Sequence, residues 1–272
     1  MNILFLGTAA AEGIPTPFCT CPTCTHARKA GGRNVRARTS ALVNDDLLID
    51  CGPDLFVAAQ RFGVQLDRLE TLLVTHAHDD HWQPENLIYR HPDLCPTPLA
   101  LLRVFGPGPV TRTLRSPRHR DRLEQAALEV TTVRAGQRFR SGRYRITALP
   151  ANHAGDRAAL LYIIDDGARK LFYATDTGPL SERAWQIVAR EAPFDAVLMD
   201  ETVGHNRYHQ HQGLETFLQD RQRLVDEGWL AEGARFVAFH FSHQSNPPHE
   251  DLVDYFAPRG VVVAYDGMEM EI

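Results

Sequence analysis

The stretch Leu72-Leu73-Val74-Thr75-His76-Ala77-His78-Asp79-Asp80-His81 constrains this chain more than any other. An apolar run stops abruptly and gives way to three histidines and two aspartates within six residues. That pattern reads as a buried strand presenting ligand-type side chains at its C-terminal end. Imidazole nitrogen and carboxylate oxygen together suit a borderline divalent ion such as Zn²⁺, Mn²⁺ or Fe²⁺. Four candidate ligands, His76, His78, Asp80 and His81, exceed what one ion with an open position takes from protein, so two adjacent ions are expected.

The hexad His-x-His-x-Asp-His resembles the signature of the metallo-β-lactamase fold superfamily. The resemblance implies an α/β fold, a four-layer αββα sandwich, and three more ligands far downstream. A chain of 272 residues suits one large α/β domain, and a single domain over 1–272 is expected. Hydrophobic content of 43% and charged content of 23% are ordinary for a globular protein, and no apolar run approaches the ~20 residues of a membrane span. The first residues lack a basic region and pass at once into a strand-like run, so no signal peptide and a cytoplasmic location are expected. A net charge of −5 argues against sequence-independent binding to nucleic acid.

Along the chain, a strand over 2–7 ends at Gly7-Thr8 and enters the small residues Ala9-Ala10-Ala11 and Gly13, compatible with a tight loop or with one that contacts phosphate. Cys19, Cys21 and Cys24 are too close for an ordinary disulfide framework and read as a structural zinc site one ligand short of four. Basic residues follow at Arg28, Lys29, Arg33, Arg36 and Arg38, either a solvated loop or a face toward an anionic substrate. A hairpin over 40–50 delivers Asp50, placed either to orient a ligand histidine or to form a turn. Further strands are expected at 69–75, 99–105, 144–149, 159–164, 170–175, 196–199, 235–241 and 261–265. Helices are expected at 53–62, 84–89, 180–191, 214–227 and 250–256. The arginines from Arg112 to Arg122 read as a solvated helix face. Residues three apart on a strand point to opposite faces, so a strand carrying His240 and His243 would serve two different metal centres.

By the resemblance, His76, His78 and His153 hold one metal, Asp80, His81 and His240 the second, and Asp176 bridges them. Within the superfamily the chain looks most like the phosphoribosyl 1,2-cyclic phosphate phosphodiesterase family. Gly7-Thr8 through the cysteine cluster, His240-Phe241-Ser242-His243-Gln244 and Tyr265-Asp266-Gly267-Met268-Glu269 carry that likeness. It implies a structural Zn²⁺ on Cys19, Cys21, Cys24 and His243, two active-site ions (Mn²⁺ or Zn²⁺), and His211 as general acid beside the catalytic ligand Asp80. The implied reaction is hydrolysis of a small cyclic phosphodiester by a hydroxide held between two ions. The expected partner is a small phosphorylated substrate, with no membrane and no nucleic acid. The oligomeric state stays open, a homodimer being the state common among relatives. A tRNA 3′-processing nuclease and a non-catalytic metal-binding carrier are the alternatives on the same scaffold.

Overall fold

The computed structural model describes residues 1–153 and 158–272, apart from the side chain of Arg122. Its strands, in chain order, are β1 (Asn2–Gly7), β2 (Ser40–Val43), β3 (Leu47–Ile49), β4 (Thr71–Leu73), β5 (Leu102–Gly106), β6 (Leu128–Thr132), β7 (Arg138–Ser141), β8 (Tyr144–Pro150), β9 (Leu160–Asp165), β10 (Lys170–Ala174), β11 (Phe194–Asp200), β12 (Leu230–Phe239), β13 (Val262–Val263) and β14 (Glu269–Glu271). They form two sheets, in the orders β14-β1-β2-β3-β4-β5-β6 and β13-β12-β11-β10-β9-β8-β7.

The layering follows from alternation along the strands. In β1, Ile3 and Phe5 face the space between the sheets while Leu6 faces outward. In β10, Leu171 and Tyr173 point inward and Phe172 and Ala174 outward, and β11 repeats this with Ala196 and Leu198 against Val197 and Met199. Strands buried on both faces must be apolar throughout, which is why these read as continuous runs. The outward face of the first sheet is covered by α2 (Leu55–Phe62), a 3₁₀ turn (Pro84–Arg90), α3 (Gly108–Arg115) and α4 (Pro117–Leu123). The other is covered by α1 (Pro22–Ala30), α5 (Glu182–Glu191), α6 (Leu214–Asp226) and α7 (His249–Phe256). The arrangement is the four-layer αββα sandwich. Each fully buried large side chain adds about 1.5–3 kcal/mol of transfer free energy. The fully buried Tyr162 also ties the sheets together, its hydroxyl donating to the Val74 carbonyl at 2.8 Å, two residues before His76.

The hairpin expected at 40–50 forms from β2 and β3, with Asn44 and Asp45 in the left-handed region (φ 48° and 65°) that a tight antiparallel turn requires. Three expectations need correction. The helix at 84–89 is a 3₁₀ turn, and the cysteine cluster, for which the sequence suggests a structural zinc loop near 19–24, contains the start of α1. Cys21 caps that helix, its Sγ accepting from the Cys24 N–H, with Pro22 in the first turn where a missing N–H costs nothing. The strand expected at 235–241 ends at Phe239, so His240 lies beyond it. Among the described residues, no helix is long and apolar enough to cross a membrane. Strands β8, β10, β11 and β12 run in one direction, so the residues after their C-terminal ends gather at one edge.

Candidate metal centre

Beyond β4 the backbone keeps sheet pairing for one more residue, the Val74 N–H reaching the Phe105 carbonyl, and then turns. His81 and Trp82 both donate their N–H groups to the His78 carbonyl, so residues 78–82 close into one tight turn that brings Asp80 and His81 back toward His76. Gly52 lies directly beneath. A Cβ there would sit 2.1 Å from the Asp80 carbonyl oxygen, so only glycine admits this approach. Gly52→Ala should cost about 1–3 kcal/mol, as overpacking does, and should lower the metal content of the purified protein; thermal denaturation with elemental analysis checks both.

Three strand-end residues adopt left-handed backbone: Asp50 (φ 63°), Asp176 (φ 49°) and His240 (φ 67°). Such conformations cost on the order of 1–3 kcal/mol each in non-glycine residues. Here they bring the three side chains into one buried cluster around His81. The separation of His240 from His243 therefore arises from this left-handed residue and the turn after it, not from the strand alternation expected from sequence.

The side chains converge on Asp176, which is buried. Its Oδ2 lies 2.7 Å from His81 Nε2 and 3.3 Å from His76 Nε2, and its Oδ1 lies 3.3 Å from His240 Nε2 and 3.9 Å from His153 Nδ1. Asp80 Oδ2 is 3.1 Å from His81 Nε2, and His153 Nε2 is 3.1 Å from His78 Nδ1. Among the described residues, ligand-type atoms gather in two adjoining groups, His76 with His78 and His153, and Asp80 with His81, Asp176 and His240, and a third group of Asp176, Asp200, His211 and His240 overlaps the second. All seven residues expected from the sequence are thus brought together.

The far side of each ring fixes which nitrogen is free. Thr75 Oγ1 is 3.0 Å from His76 Nδ1, Asp50 Oδ2 is 2.7 Å from His81 Nδ1, and Thr202 Oγ1 is 2.8 Å from His240 Nδ1. Asp50 therefore takes the orienting role, itself held by the Thr75 N–H and hydroxyl. The opposite nitrogens, Nε2 of His76, His81 and His240, together with His153 Nδ1, make no aligned hydrogen bond although buried, His81 Nε2 included despite its 2.7 Å approach to Asp176. An unpartnered buried polar atom is costly. Four of them aimed at one carboxylate, backed by orienting partners, fit a pair of divalent cations.

Charge in the cluster is tightly opposed. Burial would raise Asp176, but the surrounding imidazoles of His240, His81 and His76 hold it well below the usual carboxylate range. Burial would lower His81, yet Asp80, Asp176 and Asp50 push it well above an ordinary histidine. Burial, reinforced by the charge on His81, pushes His76 well below.

Asp200, at the end of β11, carried no role in the sequence reading. It is fully buried and accepts from His211 Nδ1 (3.0 Å), from the hydroxyl and N–H of Thr202 (2.8 and 3.0 Å) and from the N–H groups of Thr177 and Gln212 (both 3.2 Å). Asp200 Oδ2, the oxygen that faces His211, lies 3.5 Å from His240 Nδ1. His211 also approaches Asp176 Oδ1 at 3.5 Å. Burial would lower its pKa, but Asp200, Asp176 and Asp80 raise it to about 9. A signal existed: the apolar run into Asp200-Glu201-Thr202 repeats the pattern of residues 72–81.

A separate group forms from Cys19, Cys21, Cys24 and His243, with Cys21 Sγ 3.4 Å from His243 Nδ1. The five cysteines are all free thiols. Although burial opposes it, hydrogen bonds from the Cys24 N–H and from His243 lower the Cys21 thiol to about 6, near the thiolate form a metal needs. The basic loop is largely engaged elsewhere: Arg36 is buried and donates to Thr8 Oγ1 and the Ala264 carbonyl, and Arg38 pairs with Asp54 at 2.9 Å. Arg118 and Arg120 pair with Glu85 and Asp121 on an exposed surface, as a solvated face does.

A family profile described as a beta-lactamase superfamily domain matches residues 46–241. Over 94 residues the chain is 36% identical to coenzyme PQQ synthesis protein B of Methylobacterium radiotolerans, covering 30% of this chain and 31% of that protein. The chain spans less than half the length of the curated relatives it matches. Among solved structures, it resembles a diphosphatase from the PhnP family with a TM-score of 0.78 and 20% identity, covering 100% and 97% of the two chains. It resembles zinc-bound PqqB from Methylobacterium extorquens with a TM-score of 0.74 and 18% identity, covering both chains fully. The two structural likenesses carry the fold alone. The family profile, by contrast, spans the whole His/Asp cluster from Asp50 to His240, and the chain belongs to the metallo-β-lactamase fold superfamily.

Proposed function

We propose that this chain is a metal-dependent phosphodiesterase that opens a small cyclic phosphodiester, phosphoribosyl 1,2-cyclic phosphate being the leading candidate. The observation that carries the reading is the set of four unpartnered, buried imidazole nitrogens aimed at Asp176, with a fifth histidine, His211, standing just outside on Asp200. His76, His78 and His153 would hold one divalent ion, Asp80, His81 and His240 the other, with Asp176 shared. Such a pair supplies Lewis acidity toward a phosphoryl oxygen and lowers the pKa of a bound water. Cys19, Cys21, Cys24 and His243 would hold a structural Zn²⁺, closed by four protein ligands.

The chain's own groups do the rest. A cavity of about 560 Å³ opens beside His211, lined by His205, Arg207, Tyr208 and His209 and by the first turn of α6. That volume lies within the range of small-molecule sites. Asp200 engages His211 at Nδ1 and holds it in the charged form, leaving the proton on Nε2 to be given to the departing alkoxide. General acid catalysis contributes on the order of 10²–10⁴-fold, so His211→Ala should lower kcat by that much with the metal content unchanged. The rate of the parent should fall as pH rises through about 9, where the proton is lost, and this limb should be missing in the variant. Steady-state opening of phosphoribosyl 1,2-cyclic phosphate across pH, with elemental analysis, tests this, and bis(p-nitrophenyl) phosphate, whose leaving group needs no proton, should be cleaved at nearly the parental rate by the variant; loss of metal from His211→Ala would make the residue a ligand instead.

A further inference from the structure

The loop between β1 and the cysteine cluster has no part in the proposed chemistry, yet it is fixed against the segment that joins the two metal groups. The Ala10 N–H donates to the Phe241 carbonyl and the Phe241 N–H to the Thr8 carbonyl, so the loop pairs with the chain between His240 and Ser242. On its other side Gly7 permits close approach to the Ala37–Arg38 backbone: a Cβ there would lie 1.9 Å from the Arg38 carbonyl oxygen. Gly13, at φ +66°, turns the chain back after Glu12. Glu12 is left facing the HFSH segment. Its Oε1 accepts from the Ser242 hydroxyl at 2.6 Å and lies 3.5 Å from His243 Nε2. On the other side of the same ring, His243 Nδ1 faces Cys21 Sγ at 3.4 Å.

We infer that Glu12 is a positioning residue for the cysteine-histidine site: with Ser242 fixing its carboxylate, it keeps the His243 proton on Nε2 and so presents the Nδ1 lone pair to the ion among the cysteines. The inference rests on the reading of that group as a zinc site. A carboxylate behind a ligand histidine sets the tautomer, orients the ring and raises its basicity, and loss of such a partner typically weakens metal binding 10–100-fold. The loop whose role the sequence left open thus serves neither phosphate nor a bare turn, but the ring of His243.

The test is zinc affinity rather than activity. Competition of the full-length protein with a chromophoric chelator should give a zinc dissociation constant 10–100-fold weaker in Glu12→Ala than in the parent. Glu12→Gln keeps an acceptor for Ser242 and His243 while removing the charge, and should recover part of the loss. Ser242→Ala, which frees the carboxylate without touching the ring, should weaken binding less than Glu12→Ala. Parent and Glu12→Ala affinities within twofold of each other would overturn the inference while leaving the zinc site standing. Equal loss in Glu12→Ala and Glu12→Gln, with a lowered melting temperature after zinc is removed from both, would overturn it in favour of simple loop packing. A parent protein in which Cys24→Ser leaves the bound zinc unchanged would remove the zinc site and the inference with it.

Discussion

Asp176→Ala should lower phosphodiester hydrolysis by at least about 10³-fold and should leave the protein unable to retain two ions at the His/Asp cluster. Among the described residues, Asp176 is the only carboxylate near both groups of imidazoles, with one oxygen toward His76 and His81 and the other toward His240 and His153. Transition-state stabilisation by such ions amounts to several kcal/mol. About 4 kcal/mol corresponds to about 10³ in rate, since each 1.36 kcal/mol is tenfold. The fold should survive, because the side chain lies at the sheet edge and Leu171, Phe172 and Tyr173 of β10 carry the packing. The measurement is kcat/KM together with metal per chain and a circular dichroism spectrum. A variant that keeps two ions and parental rates would remove Asp176 from the centre.

Stripping the cysteine site should act on stability instead. Cys24→Ser removes one ligand from the group that joins α1 to the segment carrying His243, regions more than two hundred residues apart in sequence. An ion that binds only the folded chain, at free concentrations about 10³ above its dissociation constant, contributes about 4 kcal/mol. For a protein of this size 1 kcal/mol shifts the melting temperature by roughly 2–4 °C. Cys24→Ser, or the parent after selective removal of that ion, should therefore melt about 10 °C lower. The local consequence reaches further. Thr23 Oγ1 donates to the Asn246 carbonyl at 2.7 Å, and the Asn246 amide donates to the Thr202 carbonyl at 2.9 Å. Thr202 in turn orients His240. Unchanged melting in Cys24→Ser would mean that the thiols hold no ion of structural consequence.

The parts of this structure that pattern could reach were those in which local sequence and tertiary demand agree. The run into His76, His78, Asp80 and His81 is one: an apolar strand that must be buried, followed by residues too polar to continue it. His153 and Asp176 carry no such mark, and only a resemblance nominated them, because a loop histidine and a residue after a strand have ordinary local uses. Asp200 escaped for the same reason, its importance lying in His211, Thr177, Thr202 and Gln212, which surround it only after folding. His240 and His243 do fall in separate groups of ligand-type residues, but not by strand alternation, since alternation holds only inside a strand and β12 stops before His240. Arg36 shows the limit of composition. It sits in a basic run that reads as solvated, but Ala264 and His249, more than two hundred residues away, enclose its guanidinium and burial lowers its pKa to about 10. Helix α1 was hidden by its cysteines, although Pro22 at its start was the available signal.

The most direct test of the account is ³¹P NMR of phosphoribosyl 1,2-cyclic phosphate incubated with the Mn²⁺-loaded protein, with Asp80→Ala as control. The account predicts that the cyclic diester resonance is replaced by that of a phosphate monoester with the parent protein and persists with the variant. A cyclic ester that survives while bis(p-nitrophenyl) phosphate is cleaved would retain the hydrolase and overturn the substrate. Survival of both esters, in a protein holding a single ion at its cysteines, would contradict the account and leave a metal-binding carrier on this fold.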